Sequence, residues 1–371
     1  MNLSDHTIGI MSGTSLDGID AVLVDFGSPH PALIGHFYLA YPQPLRERLL
    51  ALQLPSDNEL HHAATLGNEL ARLYADAVQG LLDASKHLIK KGSDPFIIGC
   101  HGQTVRHMPA AGYTLQLGNA ALLAELTGMT VVADFRSRDL AAGGQGAPLV
   151  PAFHRAVFGH ANIHRVIVNI GGIANLTCLP AGNGGNAVTG FDCGPGNLLM
   201  DAWCSRHTGQ TYDAGGAWAA SGQLIPALLA QFLAHPYFAL PPPKSAGREE
   251  FNVAWLKSCL RGFEAAADVQ ATLLQLTASS IARAITQYAA AVEEIYLCGG
   301  GAHNLQLVKQ LKACMPQQKT LLTDALGISA NSVEAVAFAW LARQTMLGQP
   351  GNLPAVTGAK GERILGAIYK A

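Results

Sequence analysis

Residues 7–26, TIGIMSGTSLDGIDAVLVDF, constrain this chain more than any other stretch. Ile8, Ile10 and Met11 run into a small polar turn, Ser12-Gly13-Thr14-Ser15, and a second apolar run from Ile19 to Val24 leaves it. Two β-rich runs joined by a short Gly/Ser/Thr segment predict a hairpin. Gly13 permits close approach of a ligand to the backbone, so successive N–H groups can point at one anion. The hydroxyls add donors, and Asp17 and Asp20 just beyond can hold Mg²⁺ through water. These letters describe a phosphate cradle with a metal position beside it. They equally describe an ordinary hairpin turn, with Asp17 and Asp20 as its stabilising carboxylates.

A chain of 371 residues exceeds one ordinary core, which predicts two domains. Hydrophobic residues make up 49% and charged residues 13%, a composition rich in core and poor in solvated tails. The formal net charge of −2 gives no electrostatic reason to bind nucleic acid or an anionic membrane. No run approaches the roughly 18 apolar residues of a membrane span. The opening residues lack the basic and apolar regions of a signal peptide. The seven cysteines include no CxxC pair and read as reduced apolar residues, neither disulfide framework nor zinc site. The expectation is a cytoplasmic protein.

Along the chain, strands alternate with helices, which predicts α/β folding. Residues 36–40 suit a third strand. Ser56-x-x-Glu59 has the form of a capping box. Leu66, Leu70, Leu73, Tyr74, Ala77 and Leu81 then give a long amphipathic helix. After Pro95, an apolar strand over 96–100 is expected to end in His101-Gly102-Gln103-Thr104. A helix from about 119 to 126 leads to a strand over 130–133. A Gly-rich loop at 142–148 opens another helix, and a domain boundary is placed in this neighbourhood. Residues 165–179, RVIVNIGGIANLTCL, repeat the layout of the first hairpin around Gly171-Gly172. A Gly/Asn loop at 182–186 leads to a strand over 188–192. Cys193-Gly194-Pro195-Gly196-Asn197 is read as breaking that strand and starting a helix. Pro241-Pro242-Pro243-Lys244 reads as stiff and extended. A helix through Leu273 to Tyr288 precedes a strand over 295–298, which enters Gly299-Gly300-Gly301-Ala302-His303-Asn304. The next helix starts at Ser332, and 353–358 reads as a loop.

Four small-residue turns thus follow apolar strands: after Met11, after Ile170, at Gly194 to Asn197, and at Gly299 to Gly301. Together they suit a nucleotide, with phosphates on the hairpins and base or ribose near the triple glycine. No Walker A sequence and no GxGxxG after a strand is present, against P-loop and Rossmann readings. Asp192 is the candidate base, able to accept a proton from a hydroxyl or a water. Capping of the following helix is its structural alternative. Arg136 and Arg138 suit a sugar carboxylate or phosphate through the guanidinium fork, or a surface salt bridge. Glu334 near a helix start suits the helix dipole, and His101 suits a hydrogen-bonded core position. A Ser12–His101–Asp192 triad fails on register, because Ser12 sits one residue off a GxSxG elbow.

With those turns identified, the chain resembles the anhydro-N-acetylmuramic acid kinases of peptidoglycan recycling over nearly its full length. The resemblance is carried by MSGTSLDGID at 11–20, HGQTVRH at 101–107, GGQGAPLVP at 143–151 and NIGGIANLT at 169–177. GFDCGPGN at 190–197, CGGGAHN at 298–304 and the tail GNLP with VTGA at 351–359 complete it. It implies two actin-like (ribonuclease H-like) α/β domains around an ATP cleft. The C-terminal segment would return to the first domain, giving 1–133 plus about 350–371, and 134–349. ATP with Mg²⁺ would engage Gly13, Thr14, Ser15, Leu16, Asp17, Gly18, Ile19 and Asp20. On the second domain the nucleotide candidates are Gly171, Gly172, Asn175, Gly194, Gly299, Gly300, Gly301 and Asn304. Asp192 would be catalytic, and Arg136, Arg138, Gln145 and Glu334 are the candidate sugar contacts. The implied reaction opens the anhydro bridge of 1,6-anhydro-N-acetylmuramic acid and phosphorylates O6, in a homodimeric enzyme. A kinase for another amino sugar, and an actin- or Hsp70-like ATPase without a sugar substrate, are the alternatives.

Overall fold

The computed structural model describes residues 5–28, 30–89, 97–182 and 187–371. Pro95, Phe96 and positions 183–186 of the Gly/Asn loop lie outside the described residues. In chain order the strands are β1 (His6–Ser12), β2 (Gly18–Asp25), β3 (Ala32–Ala40), β4 (Ile97–Met108), β5 (Tyr113–Leu117) and β6 (Thr130–Ala133). There follow β7 (Arg165–Ile170), β8 (Ile173–Leu179), β9 (Thr189–Pro195), β10 (Glu294–Cys298), β11 (Lys319–Leu322) and β12 (Ala367–Tyr369).

The chain divides into two compact units, Met1–Val157 with Ser332–Ala371, and Phe158–Asn331. The first sheet has the order β3-β2-β1-β4-β6-β12, with β5 on β4. The second has the order β9-β8-β7-β10-β11. In the first, β1–β2 and β2–β3 are antiparallel while β1–β4 and β4–β6 are parallel. In the second, β7–β8 and β8–β9 are antiparallel while β7–β10 and β10–β11 are parallel. Two hairpin steps followed by two parallel crossovers therefore occur twice. That is the doubled α/β plan the actin-like resemblance implies. The likeness of residues 165–179 to the first hairpin is real at the level of topology.

Two glycines decide where the last long helix goes. Gly9 of β1 and Gly99 of β4 are direct neighbours in the parallel register. A Cβ on Gly9 would lie 2.0 Å from the Ala335 carbonyl oxygen, and one on Gly99 would lie 2.1 Å from that of Phe338. The Val333–Met346 helix thus lies with its backbone directly on the strands, over a groove that only glycine leaves open. Phe338 packs on His101 and Phe135 from the same helix, and Trp340 meets Phe153. This packing places the boundaries at 157/158 and 331/332, where the sequence expectation has them at 133/134 and near 350.

Other local expectations shift for similar reasons. Ser56 caps nothing: the Glu59–Ser85 helix begins after Asn58, which has φ 54° and makes no side-chain capping bond. Its apolar face, with Leu70, Tyr74 and Leu81 buried, holds it instead. β4 does not end at His101 but runs on to Met108, because β5 pairs with its second half from Gln103 to Met108. β9 does not break at Cys193 but continues to Pro195, which still pairs with Ile173. β9 is an edge strand, where a proline is tolerated. Residues 242–243 form a bend within the Pro-rich segment in place of a stiff rod. Pro354–Thr357 forms a helical turn in place of a loop. No helix among the described residues is long and apolar enough to cross a membrane.

The glycine groove yields a stability test. Gly99→Ala is expected to cost about 3 kcal/mol, the upper end of overpacking penalties, read as a lower urea midpoint at unchanged slope. A midpoint equal to wild type would mean that the helix can lift off β4 freely.

Candidate functional site

In the first unit the β1–β2 turn is fixed from below. The Gln103 side chain donates Nε2–H to the Gly13 carbonyl at 3.0 Å, and the Leu16 amide donates to the same oxygen at 3.2 Å. Tyr41 donates its hydroxyl to Gln103 Oε1 at 3.3 Å. Ser12 Oγ donates to the Gly102 carbonyl at 3.1 Å and lies 2.9 Å from the Tyr74 hydroxyl. Burial pushes the Tyr41 phenol up to about 12, so it remains a donor. Ser12 is buried, and its hydroxyl lies on the Gly102 carbonyl and the Tyr74 hydroxyl, with no histidine as its partner among the described residues. Leu16 takes φ 60°, a left-handed conformation that a leucine adopts only under local constraint.

Around this turn the sequence candidates take distinct positions. Thr14, Ser15 and Asp17 are exposed, and Asp17 lies 3.8 Å from Arg46. The Asp20 carboxylate lies 2.9 Å from His36 Nε2. Glu334 stands in the first turn of its helix. Burial raises its carboxyl above the usual range, opposed by the Arg136 guanidinium and reinforced by Asp20. Arg136 donates to His101 Nε2 and, at 2.8 Å, to the Gly146 carbonyl. His101 is the buried, hydrogen-bonded histidine expected: burial first, then Arg136, pushes it down to about 3, so it is neutral. Arg138 is exposed, and Gln145 is exposed with its amide on the Thr357 carbonyl at 2.8 Å.

One residue in this unit escaped sequence reasoning. Asp139 is fully buried, and its carboxylate accepts from the Gly146 amide, Asn352 Nδ2 and the Thr357 hydroxyl. It ties the Gly-rich loop to the C-terminal tail. No local signal marks it, because two of its three partners, Asn352 and Thr357, are more than 200 positions away along the chain.

In the second unit three of the glycine turns converge. The Gly196, Asn197 and Leu198 amides donate to the Gly171 and Gly172 carbonyls at 2.8 to 3.1 Å. Asn197 Nδ2 donates to the Ile170 carbonyl at 3.3 Å, and the Thr277 hydroxyl bonds the Pro195 and Gly196 carbonyls. The glycines then separate into two kinds. A Cβ on Gly196 would sit 2.3 Å from the Gly171 carbonyl, and one on Gly301 2.3 Å from Ile170 Cγ2, so packing demands these. A Cβ on Gly172 or Gly300 would meet nothing closer than 3.9 Å, and both residues are exposed. Gly13 behaves alike, its nearest neighbour being Ser15 Oγ at 3.6 Å. Packing does not require these three, and they leave backbone accessible to an incoming anion. Asn304 caps the Leu305–Cys314 helix through the Leu307 amide at 3.0 Å.

Asp192 lies on β9 opposite Asn175. Its Oδ2 accepts the Ala246 amide at 2.9 Å, and its backbone carbonyl accepts the Tyr237 hydroxyl at 2.7 Å. It does not cap the following helix, whose N-cap is Asn197. Burial raises its carboxyl to about 6, against the lowering effect of the Ala246 N–H; Glu249 adds to the rise. A half-buried carboxylate poised near neutrality has the acidity of a general base.

The family description Anhydro-N-acetylmuramic acid kinase matches residues 5–371. The chain belongs to that family. It is 61% identical over 371 residues to the anhydro-N-acetylmuramic acid kinase of Nitrosospira multiformis, covering 99% of each chain. It is likewise 61% identical to that of Nitrosomonas europaea, over 99% of this chain and 100% of the other, and 56% identical to that of Thiobacillus denitrificans. Among solved structures, a ROK family glucokinase from Streptomyces griseus aligns over 91% of this chain and 99% of its own, at TM-score 0.40 and 14% identity. That likeness carries no argument beside the family match.

The two kinds of glycine are separable by mutation. Gly196→Ala is expected to destabilise by about 2–3 kcal/mol, while Gly300→Ala leaves the melting temperature near wild type and weakens nucleotide binding. Calorimetry on both variants checks this; equal stability losses would erase the distinction.

Proposed function

We propose that the protein is an ATP-dependent kinase that opens the anhydro bridge of 1,6-anhydro-N-acetylmuramic acid and phosphorylates O6, giving N-acetylmuramic acid 6-phosphate and ADP. The observation that carries the chemistry is Asp192, a half-buried carboxylate raised to about 6 with one oxygen held by a backbone amide. O6 is locked in the bridge and bears no proton, so the base is needed elsewhere. In this scheme Asp192 takes a proton from water, whose oxygen bonds to the anomeric carbon. The bond from that carbon to O6 breaks, and O6 takes the γ-phosphoryl group as ADP leaves.

We assign the nucleotide to the Gly13–Asp20 turn of the first unit, and to Gly171, Gly172, Asn175, Gly194, Gly299, Gly300 and Gly301 of the second. Asn304 serves there as the cap that fixes the last turn. In each unit the open glycines, Gly13 in the first and Gly172 and Gly300 in the second, leave backbone that suits a phosphate. Backbone amides so placed offset charge on the transferring phosphoryl. Mg²⁺, when bound with the triphosphate, neutralises its charge; Asp17 and Asp20 would hold it through water. Arg136, Arg138, Gln145 and Glu334 are assigned to the sugar. A homodimer in the cytoplasm completes the reading, and seven free cysteines suit that compartment.

Asp192→Asn is expected to lower turnover by about 10²–10⁴-fold while ATP still binds; near wild-type turnover would remove Asp192 from the chemistry. The base must be ionised, so kcat should rise with pH through about 6 and level off above it. Turnover in oxygen-18 water should place label at the anomeric hydroxyl and none in the phosphate. Label in the phosphate would refute water attack at carbon.

A further inference from the structure

We propose that Tyr237 and the segment 244–246 are positioning elements that hold the Asp192 carboxylate with Oδ1 outward, a reading that rests on Asp192 being the base. β9 is the edge of its sheet, so a residue there lacks a further strand to satisfy its outward backbone groups. At Asp192 a single excursion of chain supplies all of them. Its N–H donates to the Lys244 carbonyl at 3.2 Å. Its C=O accepts the Tyr237 hydroxyl at 2.7 Å, and its Oδ2 accepts the Ala246 N–H at 2.9 Å.

The strand is irregular at this point. Asn175 pairs with Asp192 and Ala174 with Gly194, which leaves Cys193 as the extra residue of a bulge. Bulges re-aim neighbouring side chains and terminate regular pairing. A re-aimed carboxylate on an edge needs restraint from outside the sheet, and Tyr237 is built to give it. The residue is 2% exposed, and its ring meets Phe251 edge-on at 5.4 Å. Lys244 Nζ lies 4.7 Å over the same ring and 3.3 Å from the Tyr237 carbonyl, drawing the segment back onto it. Burial raises the phenol far above its ordinary value, so the hydroxyl stays a donor at any working pH. With Oδ2 occupied, Oδ1 accepts no hydrogen bond among the described residues and is the atom left to take the proton.

Tyr237→Phe removes the hydroxyl and keeps the ring packing. The expected result is kcat lowered about tenfold, with KM for ATP and sugar within twofold and a melting temperature lowered by only a few degrees, the loss of one hydrogen bond. Ala246→Pro removes the N–H that lowers the Asp192 carboxyl, so its acidic limb of kcat should move to higher pH. Wild-type kcat in Tyr237→Phe overturns the proposal, and so does an unmoved limb in folded Ala246→Pro. If Ala246→Pro does not fold, Tyr237→Phe decides alone. Asp192→Asn measured in parallel separates the two readings. An inactive Asp192→Asn beside a fully active Tyr237→Phe removes the positioning role only, whereas an active Asp192→Asn removes the base itself.

Discussion

The first unit depends on a missing atom. Because Gly9 and Gly99 carry no Cβ, the Val333–Met346 helix can rest its backbone on two central parallel strands. That seat places Glu334 in the electrostatic reach of Arg136 and Asp20, and lays Phe338 on His101. The same contact draws the C-terminal part of the chain into the unit that begins with β1. Asp139 closes the arrangement by holding the Gly-rich loop to the tail. Hydrophobic burial supplies the bulk of such packing, but close approach of backbone to backbone sets which helix can occupy this face.

The second unit repeats the strand plan with different fittings. Its hairpin turn accepts amides from the 196–198 turn through the carbonyls of Gly171 and Gly172, where the first unit's turn is gripped by the Gln103 side chain. Its edge strand β9 carries Asp192 on a bulge, buttressed by side-chain and backbone donors in place of a further strand. The acidic group so placed has one oxygen held by a backbone amide and stays only partly buried. Burial raises its carboxyl and one amide holds the rise in check. The result is a carboxyl raised to about 6, and the two opposing effects come from separate pieces of chain.

Glycine-rich turns illustrate how much a motif leaves open. In CGGGAHN the three glycines look equivalent, yet Gly301 is required by Ile170 and Gly300 by nothing within the protein. Asn304 ends the same motif as a helix cap. Within one short stretch, then, some letters answer to packing, some to helix termination and some to no contact within the protein.

Sequence alone determined the two hairpins, the alternation of strands and helices and the family, and it supplied Asp192 as the candidate base. These rest on short-range periodicity and on motifs whose residues are close along the chain. Tertiary structure decided the rest. The boundaries at 157/158 and 331/332, the run of β4 beyond His101, and the roles of Asp139, Gln103 and Tyr237 all depend on partners tens to hundreds of positions away. Pairing and close packing between distant segments have no local periodicity to betray them. A buried aspartate or tyrosine reads in sequence as any other until its neighbours are in place.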